Sequence, residues 1–175
     1  MKNQNGNTSL IIVVVGLVIV GIAGFFMYSA TRPQSSTAED TVMEGKEETM
    51  MSDYSGELIS GSNTPYLVFN EADYQKAQEE GKIIVLDFYA NWCPVCRAEA
   101  PDIEAGFDQL NNDQVVGFRV NYNDTETDEF EKSLAQEHGV TYQHTKVIIK
   151  DGEQVLKDGL VWNTEAFLEN VNSVL

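Results

Sequence analysis

The apolar positions of this chain fall into two regimes. Residues 10–28, LIIVVVGLVIVGIAGFFMY, form one uncharged apolar run, which as a helix rising ~1.5 Å per residue spans about 28 Å, the thickness of a bilayer's hydrocarbon core. From about residue 64 onward the apolar residues come instead in short blocks parted by polar turns. Blocks apolar at nearly every position predict strands covered on both faces, and blocks spaced at three and four predict helices with one buried side. PYLVF (65–69) thus reads as a short strand, and IIVLDFYA (83–90) and VVGFRVNY (115–122) as covered strands interrupted by Asp87 and Arg119. TKVIIK (145–150), an Asp151-Gly152 turn and EQVLKD (153–158) predict a hairpin. Between them, Asn70 caps a helix over Glu71 to Glu80 that Gly81 stops, and a second helix runs from around Cys93 to about Asn111 with Pro101 as an interior kink. An acidic third covers about Thr125 to His138 and ends at Gly139, and Asn163 or Thr164 caps a last amphipathic helix carrying Phe167, Leu168 and Val171. The order of elements predicts an α/β fold, a central mixed sheet flanked by helices.

The stretch between the two regimes is rich in Ser, Thr, Gly and acids, among them Glu39, Asp40, Glu44, Glu47, Glu48, Asp53 and Glu57. It has too little apolar surface to offset its ordering entropy and reads as a flexible tether; Met43, Met50 and Met51 within it are incidental. The chain therefore divides into a tail (1–9), a transmembrane anchor (10–28), an acidic linker (29–63) and one domain (64–175). An uncleaved anchor is favoured over a secretory signal, whose apolar region is shorter and ends at a small-x-small site; the nearest candidate, Tyr28-Ser29-Ala30, places a bulky Tyr there. A short tail with Lys2 and the α-amino group sets the expected orientation, N-terminus in the cytoplasm and the domain outside the cell membrane, where a disulfide persists.

Charge and cysteine count narrow the chemistry. With 11 basic and 28 acidic residues the formal net charge is −17, a field that repels phosphate backbones and sets nucleic acid aside as a partner. The two cysteines, Cys93 and Cys96, sit in ANWCPVCRAEAP at the predicted helix start. A staple across so short a loop gains little, and structural zinc wants four ligands where this chain offers one cysteine pair and two histidines. At a helix N-terminus, free N–H groups and the helix dipole favour a thiolate at the first sulfur, lowering its pKa from ~8.5 into roughly 3.5 to 7.5 in such motifs. Cys93 is then the nucleophile, and Cys96, one turn further in and expected to be less exposed, resolves the mixed disulfide. Pro94 suits the first helical turn, and Trp92 is expected to cover one side of the sulfurs. Asp87 inside an apolar strand is expected to have a raised pKa and to relay the proton of a buried thiol. Arg119 either pairs with Asp87 or points outward, and His138 sits at a helix end as a favourable C-terminal side chain.

LDFYANWCPVC followed by Pro101 resembles the strand, WCxxC and kinked helix of the thioredoxin superfamily, over roughly residues 65–175. The resemblance implies a redox-active Cys93–Cys96 disulfide, Asp87 as the buried acid behind it, Arg119 in the place of a basic residue that is usually lysine, and Gly159 beside the substrate groove. It implies a thiol–disulfide oxidoreductase without a cofactor. With the anchor, the chain is similar to bacterial membrane-tethered members, whose partners are cysteine-containing exported proteins and a membrane or extracytoplasmic electron-exchange partner.

Two departures stand out. Pro94-Val95 replaces thioredoxin's own Gly-Pro, so the direction of electron flow is not inherited. Where the family places a cis-proline just before Thr145, this chain has His144. A cis bond to a non-proline residue costs roughly 2.5 to 4 kcal/mol, which predicts a trans, reshaped loop with the imidazole near Cys93. There it stabilises a thiolate, acts as acid or base, or joins both sulfurs as a ligand. The alternative function is accordingly a soft-metal module, for copper or an iron–sulfur centre, held by Cys93, Cys96 and His144. A peroxide-reducing enzyme would need a threonine-rich proline loop before its cysteine, which this sequence lacks.

Overall fold

The computed structural model describes residues 53–175. The predicted tail, the anchor over 10–28 and most of the linker lie outside the described residues, among which no helix is long and apolar enough to cross a membrane. In chain order the elements are β1 (Leu58–Ser60), β2 (Tyr66–Val68), α1 (Glu71–Glu79), β3 (Ile83–Tyr89), α2 (Pro94–Gln109), β4 (Val115–Asn121), α3 (Glu129–Glu137), β5 (Thr145–Lys150), β6 (Glu153–Asp158) and α4 (Thr164–Asn172). The strands form one sheet in the order β1-β2-β4-β3-β5-β6. Strands β2, β4 and β3 run parallel, while β1, β5 and β6 join antiparallel, giving the expected mixed sheet.

Alternation along β3 divides the core in two. Ile84, Leu86 and Phe88 meet Leu67, Phe118 and Val147, together with Tyr74 and Ala77 of α1 and Leu134 and Ala135 of α3. On the other face Ile83 and Val85 meet Tyr66, Ile148, Ile103 and Phe107 of α2, and Phe167 and Val171 of α4. The same period of two turns Asp87 of β3, Arg119 of β4 and Lys146 of β5 toward the α2 side. Gly117 permits the closest contact there, because a Cβ at that position would lie 2.1 Å from Cζ of Phe107. The Phe107 ring stacks on Tyr66 with centroids 4.6 Å apart.

Two boundaries differ from the sequence reading. Residues 54–60, read as the end of the linker, lie on the domain: β1 pairs with β2, and Asp73 accepts from the backbone N–H groups of Ser55 at 3.0 Å and Gly56 at 2.7 Å. Backbone pairing and the Asp73 carboxylate hold the segment, with only Tyr54 and Ile59 packing against the core, so its polar composition resembled a tether. The acidic helix starts at Glu129 rather than Thr125, because Asp128 and Glu131 form a reciprocal capping box, while Asp124 and Thr127 bond to each other in the turn before it.

Candidate functional site

The cysteine pair owes its geometry to the start of α2. Cys93 is the N-cap, in extended backbone conformation, with Pro94 in the first turn. Its Sγ takes the place of a capping oxygen and accepts the Cys96 N–H at 3.1 Å. Both cysteines are unbridged and buried. The expected gradient of exposure is not found: Cys93 is 1% and Cys96 3% exposed. Their apolar neighbours are Ala90 and Tyr89. Trp92 stands half-exposed, its indole N–H donating to the Asn123 carbonyl at 3.0 Å. Burial first, then the adjoining Cys93 and Asp87, push the Cys96 thiol up to about 12, so it keeps its proton at neutral pH.

Behind the pair, Asp87 is buried and accepts from the Tyr66 hydroxyl at 2.8 Å. Burial raises its pKa from 3.8 to about 6, against the opposing charge of Lys146 and the Tyr66 bond. Burial and Asp87's charge also hold the Tyr66 hydroxyl well above its usual range, fixing it as a donor. Arg119 is Asp87's register neighbour on β4, yet it forms no ion pair among the described residues; its guanidinium lies over the Tyr89 ring, 5.3 Å from the centroid. Of the cations near Asp87, Lys146, its register neighbour on β5, has the stronger influence.

Lys146 was not singled out in the sequence, although its phase with Ile148 in TKVIIK places it on an apolar face. It is fully buried. Its ammonium bonds Glu99 of α2 and donates to the carbonyls of His144 at 3.0 Å and Leu160 at 2.7 Å. Glu99 also accepts the Trp162 N–H at 2.6 Å. One buried ion pair thus joins α2, the loop before β5 and the loop after β6. Gly159 admits a further contact between those loops, since a Cβ there would lie 1.8 Å from the Tyr142 hydroxyl oxygen. Val95, Tyr142, Leu160 and Val161, on these same segments, are exposed apolar residues.

His144 lies in the left-handed region with φ 54°, and no cis peptide occurs among the described residues. Its N–H donates to the Phe88 carbonyl at 2.7 Å, and its Nδ1 is buried without a hydrogen-bond partner. Cys93, Cys96 and His144 each present one ligand atom, all within 4.8 Å of one another. Pro101 lies inside α2, where its missing N–H frees the Arg97 carbonyl. His138 is elsewhere: it is the C-cap of α3, its Nδ1 3.1 Å from Gln154 Oε1.

The thioredoxin family model matches residues 65–172. Among curated proteins, Thioredoxin H4 of Arabidopsis thaliana is 41% identical over 85 residues, covering 47% of this chain and 63% of its own length. Thioredoxin-2 of Pyricularia oryzae is 34% identical over 92 residues, covering 53% of this chain and 49% of its own. The chain spans about half to just under two-thirds of the length of these relatives. Among solved structures, Trxlp from Edwardsiella tarda superposes with a TM-score of 0.50 at 25% identity, covering 59% of this chain and 94% of that one.

Proposed function

The chain belongs to the thioredoxin family, and from that premise we propose that it is a membrane-tethered thiol–disulfide oxidoreductase exchanging disulfides with cysteines of extracytoplasmic proteins. The observation that carries the chemistry is the unequal treatment of the two sulfurs. Cys93 Sγ receives a backbone N–H at the start of α2, whereas the Cys96 thiol is held protonated by burial. The thiolate of Cys93 attacks one sulfur of a substrate disulfide, a Cys93–substrate bond forms, and the second substrate sulfur leaves as a thiolate that takes up a proton. Cys96 then gives up its proton and attacks Cys93 Sγ; the Cys93–Cys96 disulfide forms and the first substrate sulfur departs. Two electrons pass to the substrate, and the reverse sequence oxidises a dithiol. Asp87, ionised above about pH 6 and near enough for its charge to raise the Cys96 thiol, is the acceptor for that proton. The exposed Trp92, Val95, Tyr142, Leu160 and Val161 supply the apolar surface for a peptide carrying the target cysteine. The uncharged run over 10–28 and the acidic stretch after it support the tether.

The test is trapping in intact cells. Cys96→Ser accumulates substrate-linked species that reductant releases, because resolution is blocked, and Cys93→Ser forms none. Absence of such species in both variants refutes the proposal.

A further inference from the structure

We infer that Cys93, Cys96 and His144 form a three-ligand site for a thiophilic d10 cation, Zn2+ or Cu+, filled only while the two cysteines are reduced. Metal binding is inferred from side-chain placement alone; only the emptying of the site by oxidation rests on the disulfide-exchange reading.

The two sulfurs and the imidazole nitrogen already lie within 4.8 Å of one another. An ion with bonds of ~2.3 Å to sulfur and ~2.0 Å to nitrogen holds such atoms about 3.5 to 4 Å apart, so the site closes by roughly an ångström, within reach of small side-chain torsions. Two thiolates and an imidazole are a soft donor set that selects Zn2+ or Cu+ over harder cations.

The imidazole is built in rather than loosely placed. The backbone of His144 is pinned at both ends, its N–H to Phe88 at 2.7 Å and its carbonyl by the Lys146 ammonium at 3.0 Å. It sits at φ 54°, a conformation a non-glycine residue keeps only where its surroundings enforce it. Its Nδ1 is buried with no hydrogen-bond partner, so no protein group competes for the ring at that nitrogen. The Nε2 of His138 is likewise unpartnered, but no cysteine or carboxylate group gathers around it among the described residues, so the same reading does not extend there.

Charge fits as well. Two thiolates neutralise Zn2+, which suits sulfurs that are 1% and 3% exposed, whereas with Cu+ the site keeps one negative charge. No fourth His, Cys, Asp or Glu joins the group among the described residues; Cu+ is satisfied by three donors, and Zn2+ keeps a position open to water or an incoming thiolate. Disulfide formation empties the site: the S–S bond consumes both thiolates, their two electrons pass to a substrate disulfide, and the ion departs with its own oxidation state unchanged.

The experiment is a chelator-competition titration of the reduced, full-length chain, purified anaerobically in detergent, with Zn2+ and with Cu+ as separate probes. One equivalent of at least one ion is expected to bind tighter than micromolar. His144→Asn, whose side chain tolerates the left-handed backbone, weakens binding by at least about tenfold, because even outer partners of metal ligands are worth ~10 to 100-fold. Cobalt(II) substitution supplies a second readout: thiolate-to-cobalt absorption that is altered in His144→Asn and absent from the disulfide form. Affinity no better than micromolar for both ions, affinity unchanged in His144→Asn, or binding retained by the disulfide form each overturns the inference. Trapping by Cys96→Ser requires no metal, so failure here leaves the exchange activity standing.

Discussion

Asp87 shows how one side chain couples stability to chemistry. Its pKa lies at about 6 in the folded protein against an ordinary 3.8, chiefly because burial disfavours the charged form. The native state therefore holds this proton more tightly than the unfolded chain. The associated stabilisation is fully present below pH 3.8 and is lost as pH rises through 6. Above both values the ionised buried carboxylate costs about 3 kcal/mol, two units at roughly 1.4 kcal/mol each. Asp87→Asn is accordingly expected to raise the unfolding free energy by about 2 to 3 kcal/mol at pH 8, with the gain vanishing near pH 3.5. Urea denaturation across that range checks it; a pH-independent difference would show that ionisation is not the cause. The same variant loses the acceptor for the Cys96 proton, so in single-turnover kinetics its mixed disulfide with substrate outlives that of the wild type.

At the scale of elements, the site is an assembly of strand and helix ends. Helix α2 contributes Cys93 and Cys96 at its first turn and Glu99 one turn later, while β5 contributes Lys146 and is preceded by His144. The Glu99–Lys146 pair ties them together and holds the Leu160 loop. Because the pair is buried, removing one partner leaves an uncompensated charge, whereas replacing both by apolar groups does not. Lys146→Met is expected to destabilise the domain by about 3 to 5 kcal/mol. Adding Glu99→Leu should recover most of that loss in a double-mutant cycle by chemical denaturation. A Lys146→Met cost below about 1 kcal/mol would mean that this pair is not what joins the loops. Packing under α2 is equally tight: Gly117→Ala drives a methyl into Phe107, 2.1 Å from Cζ, and an expected loss of about 1 to 3 kcal/mol is measurable in the same assay.

At the scale of the whole molecule, charge and the apolar run over 10–28 set the remaining expectations. With a net charge of −17, encounter rates with basic partner surfaces are expected to fall as salt is raised, which stopped-flow kinetics over a salt series checks. The apolar run over 10–28 is expected to hold the chain in the membrane fraction through alkaline carbonate washing, and deletion of residues 1–30 to release it. Recovery of the intact chain in the soluble fraction would remove the tether from the proposed function.

What the sequence determined by itself is what depends on neighbours along the chain. Period-two alternation set which residues of β3, β4 and β5 share a face, and the i, i+3 spacing of Cys93 and Cys96 at a helix start set which sulfur receives the backbone N–H. The extended family pattern broken at His144 was legible for the same reason. Tertiary structure alone decided the partners. That Asp87 answers to Tyr66 and Lys146 rather than to Arg119, that Glu99 and Lys146 meet in the core, that both sulfurs are covered, and that residues 54–60 join the sheet depend on how segments far apart in sequence come together. Local pattern does not say which strands lie side by side or where a helix packs, so buried charges find their partners only when the chain has closed around them.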